Sequence, residues 1–163
     1  MDCIYCTPEW LEESARIYRA TPRFEEMMKR LSVQVFFRVT AKPEWGIDSD
    51  FIFGGTITKG VLDELRYFSE DEVKEKGELV MAASPQEWKL LLRKEHKFLT
   101  DFMLRKINLE KGGIKDALAV APYADSFINA LTQVKLIFQD ELSAQQLNEY
   151  REYATQFRSK LGV

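Results

Sequence analysis

Three short strands are predicted in close succession over residues 32–40, 51–58 and 61–68. In the first, apolar side chains occupy every second position, which is the period of a half-buried β-strand. Phe36 lies on the other face of this strand and indicates that the second face is partly covered as well. Gly60 allows a turn between the second and third strands. Because parallel neighbours need a long crossover connection, so close a succession favours antiparallel pairing.

A fourth strand, from Leu79 to Ala83, runs directly into a strong helix start. Ser84 is a good N-cap residue, Pro85 suits the first helical position, and Glu87 completes a capping box. Large apolar side chains are then concentrated on short helices, an arrangement that can enclose a pocket for a hydrophobic molecule. The segments that follow the helix start are Trp88–Leu92, Phe98–Met103, a fifth strand over Lys106–Lys111, and Gly112-Gly113.

Helices are predicted at both ends of the chain. Two helices start at Thr-Pro pairs within residues 7–31, and a capping box opens a C-terminal helix over 143–161. Residues 114–134 carry further helical stripes that are interrupted at Pro122. The charge-rich segment 69–77 is interpreted as a solvated loop between strands and not as a cation site, because charge blocks usually remain hydrated.

The composition is typical of one soluble globular domain spanning residues 1–163. Hydrophobic residues make up 45% and charged residues 30% of the chain. The formal net charge is −3 with basic residues scattered among acidic ones, and nucleic-acid binding would need a concentrated basic face. No apolar run approaches the roughly 20 residues that span a bilayer, and the N-terminus has no basic start or apolar secretion core. The cytoplasm is therefore the expected compartment.

Cys3 and Cys6 are the only cysteines and have the spacing C-x-x-C. Zinc needs about four ligands, whereas the chain offers one histidine, His96, and no second cysteine pair. A redox pair normally sits at a helix start after a strand, and no strand is predicted before this pair. We interpret the two residues as inert cysteines of an N-terminal tail, with an inter-chain zinc site or disulfide as the alternative.

No catalytic residue, metal site or cofactor is predicted. His96 lies between Glu95 and Lys97 in a charged turn, so we expect it at the surface. The chain has no nucleophile elbow and no phosphate-binding glycine loop, and a bare Gly112-Gly113 is weak evidence for an anion site. These observations favour a non-catalytic protein.

A set of large apolar side chains, most of them in the second half of the chain, is the strongest candidate for function. Apolar stripes on short helices normally bury against a sheet, so these side chains can form an ordinary packed core. The alternative is that they form the wall of a cavity. The candidate ligand-binding residues are Met81, Trp88, Leu92, Phe98, Phe102, Met103, Leu118, Phe127 and Leu131.

The segment from about Ser32 to about Val134 resembles the sterol-carrier, or non-specific lipid-transfer, domain family. The resemblance rests on the order of its elements. Three alternating strands come first, and E-L-V-M-A-A-S-P-Q-E-W-K-L-L-L follows as a strand entering a helix. After these come the short helix 98–103, the strand and turn K-I-N-L-E-K-G-G, and a last helix that contains Phe127 and Leu131.

The resemblance implies both a fold and a function. The fold is α+β, with helices covering a single five-stranded, mainly antiparallel sheet and an apolar tunnel between sheet and helices. The tunnel would accept a fatty acid, an acyl-CoA or a sterol-like ligand in a soluble carrier without catalysis. The helical extensions, residues 7–31 and 143–161, fall outside the matching segment.

Two alternatives remain open beside the carrier. The same fold can serve as a dimerisation or interaction module, for which the apolar stripe of the C-terminal helix is the candidate surface, or as an accessory to an acyl-processing enzyme. In a carrier, the head group of the ligand would meet Lys94, Lys97 or Arg105 at the tunnel mouth, unless these side chains are simply solvated.

Overall fold

Eight α-helices and seven strands make up the computed structural model, which describes residues 1–163. None of the helices combines the length and the apolar character needed to cross a membrane. In chain order the elements are β1 (Asp2–Ile4), α1 (Pro8–Ala20), α2 (Pro22–Met27), β2 (Val33–Val39), β3 (Phe51–Thr58), β4 (Val61–Phe68), α3 (Glu70–Lys76), β5 (Val80–Ala83), α4 (Pro85–Leu92), α5 (Phe98–Met103), β6 (Asn108–Lys111), α6 (Ile114–Val120), α7 (Ala124–Leu131), β7 (Lys135–Ile137) and α8 (Ala144–Leu161).

The central sheet has five strands in the order β4-β3-β2-β5-β6. Strands β2, β3 and β4 pair antiparallel, as their close succession predicts, and β5 pairs antiparallel with β6. Within this sheet only β2 and β5 pair in parallel, and the chain between them includes β3, β4 and α3, so the long connection that parallel strands need is present. The predicted five-stranded, mainly antiparallel sheet of an α+β fold is confirmed.

The two faces of the sheet are covered unequally. One face carries the alternate residues Val35, Val39, Phe53 and Met81, which belong to a cluster of 27 buried hydrophobic residues shared with α1, α4, α7 and α8. On the opposite face, Phe36 is fully buried in a cluster of 5 residues that includes Val73 of α3. The expectation that the face of Phe36 is also covered is confirmed. The larger cluster is the layer in which a ligand could be enclosed.

Residues 70–76 form helix α3, so the interpretation of residues 69–77 as a solvated loop is wrong. Ser69 accepts a hydrogen bond from the backbone N–H of Glu72, and the Glu72 side chain accepts one from the Ser69 N–H. Acidic residues fill the first turn and lysines the last, which suits the helix dipole. Val73 is the one buried residue of the helix, and its burial against the sheet offsets the cost of ordering so polar a segment.

The first residues of the chain form part of the core. Strand β1 pairs in parallel with β7, and Cys3 and Cys6 are both buried free thiols. Burial raises the pKa of the Cys6 thiol, which disfavours the reactive thiolate. The Tyr150 hydroxyl donates a hydrogen bond to the carbonyl of Cys6 at 2.9 Å. The two cysteines therefore do not lie in a tail, and a strand does precede Cys6.

Helix α8 packs on the sheet of its own chain. Tyr150, Ala154 and Phe157 are buried, and the Phe157 ring stacks on Phe51 with centroids 5.8 Å apart. The middle of the apolar stripe that suggested a dimer surface is therefore covered within the chain, whereas Leu161 at its end is 49% exposed.

Candidate functional site

An apolar hollow lies between helices α4 to α7 and the face of the sheet that carries Phe53 and Met81. Its cavity volume is about 60 Å³, and it is partly open to solvent. All 13 residues that line it are hydrophobic: Tyr5, Phe37, Phe53, Met81, Trp88, Leu91, Leu92, Phe98, Val120, Ala124, Phe127, Ile128 and Leu131. A lining made of hydrophobic and aromatic side chains is typical of pockets that hold small hydrophobic molecules.

The sheet and helix α4 supply one part of the wall. Side chains of alternate strand residues point to one face, so Phe37 and Phe53 reach the hollow together, with ring centroids 5.2 Å apart. Trp88 meets Phe37 edge-on at 5.6 Å, and its indole N–H donates to the carbonyl of Arg38 at 3.0 Å. Leu91 and Leu92 follow Trp88 at helical spacing. This wall is held both by packing and by a hydrogen bond between helix and strand.

Helix α7 closes the opposite side of the hollow. Ala124, Ile128 and Leu131 share one stripe of the helix and line the space, together with Phe127. The end of the helix is held by Trp10, whose indole N–H donates to the carbonyl of Leu131 at 2.8 Å. Helix α1 therefore fixes the position of the helix that covers the hollow.

A second hollow, with a cavity volume of about 40 Å³, lies beside the first, between α1, α7 and the sheet. The two spaces share four lining residues: Phe37, Phe53, Phe127 and Leu131. The second is also apolar, except for Tyr18 and for Ser14, whose buried hydroxyl has no hydrogen-bond partner. Since the same side chains face both spaces, they form the partition between two chambers of one apolar layer.

Six of the nine predicted ligand-binding residues line the first hollow, and three do not. Phe102 is half-buried and stacks on Phe98 at 5.9 Å, behind the wall. Met103 is 69% exposed and Leu118 is 42% exposed, so both face solvent. The six that line the hollow are Met81, Trp88, Leu92, Phe98, Phe127 and Leu131.

Several lining residues are absent from the predicted set. Phe37 and Phe53 carry a readable signal, because they continue the alternation that defines the covered face of each strand. Leu91 belongs to the α4 stripe that the sequence shows. Tyr5 carries no such signal, since it reaches the hollow from the loop between β1 and α1.

The basic residues proposed for the tunnel mouth lie on the loops that flank α5. Lys94, Lys97 and Arg105 are all exposed, and none forms an ion pair. Lys94 and Arg105 have positive φ angles of 61° and follow the ends of α4 and α5. They are free to meet an anionic head group, and they are equally well placed to remain hydrated.

His96 lies between two acidic side chains of the α4–α5 region. Its Nδ1 atom is 3.0 Å from a carboxylate oxygen of Glu87 and 2.9 Å from one of Asp101. The His96 side chain is 30% exposed, so it is less accessible than expected for a histidine in a charged turn. The hydrogen bonds to Glu87 and Asp101 raise the pKa of His96. Burial, with the nearby Asp101, raises the pKa of Glu87.

These shifts predict that stability falls as pH rises. A histidine whose pKa is raised on folding stabilises the folded state fully at pH values below its unfolded-state pKa of about 6.5. This stabilisation is lost as the pH rises through the folded-state pKa. The raised pKa of Glu87 acts in the same direction. We expect the wild-type Tm to fall between about pH 6 and pH 8. The measurement is made with a chelator present, so that no metal ion binds to these side chains.

The variant His96→Gln provides the control for this pH dependence. The chain has one histidine, so the slope of Tm over that range should be much smaller in the variant. Thermal unfolding followed by circular dichroism at several pH values measures both slopes. A wild-type Tm that stays level or rises over the range would contradict the assignment.

Comparison with known proteins identifies the fold. No family model and no curated protein matches the sequence. The solution structure of a conserved hypothetical protein from Thermus thermophilus, suggested to be a sterol carrier protein, aligns with a TM-score of 0.66 and 18% identity over 80% of this chain and 90% of that one.

Two further solved structures share this architecture. A crystal structure of sterol carrier protein 2 aligns with a TM-score of 0.63 and 18% identity over 78% of this chain and 97% of that one. Apo sterol carrier protein 2 from Yarrowia lipolytica gives a TM-score of 0.50 and 11% identity over 74% and 88% of the two chains. The chain therefore has the sterol-carrier-protein fold that the order of its elements predicts.

Proposed function

We propose that this protein is a non-catalytic carrier that holds a fatty acid, an acyl-CoA or a sterol-like molecule in the apolar hollow. The observation that carries the proposal is the lining of that hollow, in which all 13 residues are hydrophobic. Water gains few hydrogen bonds in such a space, so an apolar ligand would replace poorly bound water.

The free energy of binding would come from the transfer of methylene groups out of water. Each buried CH₂ contributes about 0.8 kcal/mol, so a long acyl chain brings on the order of 10 kcal/mol before the costs of ordering. The hydrophobic effect is non-directional, so it does not depend on the orientation of the ligand. The shape of the hollow would therefore select ligands by length and width more than by head group.

The chemistry of the wall supports a carrier without catalysis. General acid–base catalysis needs a group that titrates near neutral pH within reach of the substrate. The ionisable groups on the two hollows are Tyr5 and Tyr18, and burial raises the pKa of both, to about 12 for Tyr18. His96 is not among the lining residues.

The solved structures of the same fold support the choice of ligand class. Two of the three are described as sterol carrier protein 2, and the third has been suggested to be a sterol carrier protein. Fold alone does not determine function, so the support for this chain comes from its own apolar hollow.

Ligand titration tests the proposal directly. Delipidated protein would be titrated with a fluorescent fatty acid, and unlabelled fatty acids, acyl-CoA and sterols would be used as competitors. Native mass spectrometry of the freshly purified protein would show whether ligand is carried over from the expression host. We expect saturable binding of one ligand class at a single site.

A matched pair of arginine variants locates the binding. Leu92 lines the hollow, and Leu99 is 49% exposed nearby. Burial of an unpaired charge is unfavourable, so Leu92→Arg should weaken binding by about tenfold or more while Leu99→Arg leaves it unchanged. Protein that is always free of ligand, and that binds none of these compounds, would end the carrier proposal.

A further inference from the structure

Three metal-ligating side chains converge where α4 meets α5. Glu87 lies in the first turn of α4, His96 in the following loop and Asp101 in α5. One ligand atom from each lies within 4.8 Å of the other two. The backbone N–H groups of Glu95 and His96 both donate to the carbonyl of Leu90, at 2.9 and 3.2 Å, which fixes the loop that presents the imidazole.

The two carboxylates have no partner outside this cluster. The Asp101 side chain is 3% exposed and that of Glu87 is 12% exposed, yet neither forms an ion pair with a lysine or arginine. No backbone N–H donates to either carboxylate. A buried carboxylate normally needs a paired charge, several hydrogen bonds or a metal ion. His96 contacts both, and a further hydrogen bond joins the two carboxyl groups when one of them is protonated.

One hydrogen atom on Nδ1 cannot satisfy both oxygens with good geometry. The two oxygens lie at nearly equal distances from Nδ1, 3.0 and 2.9 Å, whereas a hydrogen bond weakens steeply as its angle departs from linear. A cation between the three atoms would satisfy all of them at once. Around a tetrahedral ion with bonds of about 2.0–2.2 Å, adjacent ligand atoms lie roughly 3.3–3.6 Å apart, so a bound ion would require these side chains to separate by a few tenths of an ångström.

We propose that Glu87, His96 and Asp101 bind a divalent transition-metal ion such as Zn²⁺, with water completing the coordination. An imidazole nitrogen with two carboxylate oxygens is a ligand set that Zn²⁺ accepts. Three protein ligands leave a position for water, and the partial exposure of His96 gives solvent access to the site.

The ion would act on the wall of the hollow. Helix α4 provides Trp88, Leu91 and Leu92 to the lining, and α5 provides Phe98. Glu87 precedes Trp88 directly, and Asp101 lies three residues after Phe98. A metal bound to both helices would hold these two parts of the wall together. The site does not depend on the proposed carrier function, because its ligands lie outside the hollow.

Calorimetric titration with Zn²⁺ alone tests the site. The protein would first be treated with a chelator and dialysed. We expect one equivalent to bind and to release protons, because Nδ1 must be unprotonated to bind the ion. Titration in two buffers with different ionisation enthalpies measures the protons released. At 100 times the Kd, Zn²⁺ should raise the Tm by about 5 °C or more.

Variants identify the ligands. Loss of a side chain that hydrogen-bonds to a metal ligand typically weakens metal binding by about 10–100-fold. Loss of a ligand itself should cost more, so we expect His96→Gln and Asp101→Asn to weaken Zn²⁺ binding by about 100-fold or more. Glu95→Gln is the matched control, since Glu95 is an exposed neighbour of His96 outside the cluster. One-to-one binding that persists in both ligand variants, or that does not occur in the wild type, would overturn the proposal.

Co²⁺ substitution of the wild-type protein gives a second readout that needs no variant. Ligation by histidine and carboxylates gives visible d–d bands without a thiolate charge-transfer band. A strong thiolate band would place the ion at Cys3 and Cys6 instead, and would also overturn the assignment.

Discussion

The Phe127→Ala variant is expected to bind longer acyl chains than the wild-type protein does. Phe127 lines both hollows and lies between the first, of about 60 Å³, and the second, of about 40 Å³. Removing the ring should join the two spaces, so a chain that fills the first could extend into the second. Each additional buried methylene contributes about 0.8 kcal/mol, or about fourfold in affinity.

A series of saturated fatty acids of increasing length measures this effect. In the wild type, affinity should rise with length and then level off when the first hollow is full. In Phe127→Ala, the plateau should begin several methylenes later. Phe102→Ala is the size-matched control, because the Phe102 ring lies outside the lining. Identical length dependence in all three proteins would show that Phe127 does not limit the ligand, whereas absence of binding in all three would refute the carrier proposal itself.

Trp10→Ala is expected to cause the largest loss of stability of any single substitution considered. Trp10 is fully buried, and its ring packs against Tyr5 at 5.0 Å and Phe53 at 5.2 Å. Its indole N–H satisfies the carbonyl of Leu131. Truncation of a buried tryptophan typically costs about 3–5 kcal/mol. For a chain of this length the Tm should therefore fall by roughly 10 °C.

Trp10→Phe separates packing from hydrogen bonding. It keeps most of the aromatic contact but removes the donor, leaving the Leu131 carbonyl without its partner at a cost of about 1–3 kcal/mol. Urea unfolding of both variants gives the two free energies of unfolding. We expect Trp10→Phe to fall between wild type and Trp10→Ala. Wild-type stability of Trp10→Ala would mean that helix α1 is not integral to the core.

The central sheet and the start of α4 could be predicted because their signals are local. Alternation over residues 32–40 predicts both the strand and its two faces, and the Ser84 cap predicts where α4 begins. The same capping signature is present at Ser69, where Glu72 follows three residues later, yet the charge of the segment favours a loop. The helix buries only one side chain, that of Val73, so the sequence of this segment shows no apolar helical periodicity.

The small sheet of β1 and β7 could not be predicted in the same way. Each strand has three residues, which is too short to show alternation, and their partners are more than 130 positions apart. Pairing between such distant segments is decided by the tertiary fold. The burial of Cys3 and Cys6 follows from this pairing and was missed with it.

The candidate site was predictable by element, and only in part by side chain. A six-residue helix such as α5 makes fewer than two turns, so its apolar residues do not define which side faces the sheet. Phe98 lines the hollow while Met103, five residues later, faces solvent. The cluster of Glu87, His96 and Asp101 was missed because it forms only where α4, a loop and α5 meet.

The pairing of β1 with β7 also restricts how the chain can assemble during synthesis. Residues 2–4 are synthesised more than 130 residues before their hydrogen-bonding partners at 135–137. Contacts that close so long a loop form late and slow folding. The nascent chain can form β2, β3 and β4 early. The indole N–H of Trp10, however, has no hydrogen-bond acceptor until Leu131 has been synthesised.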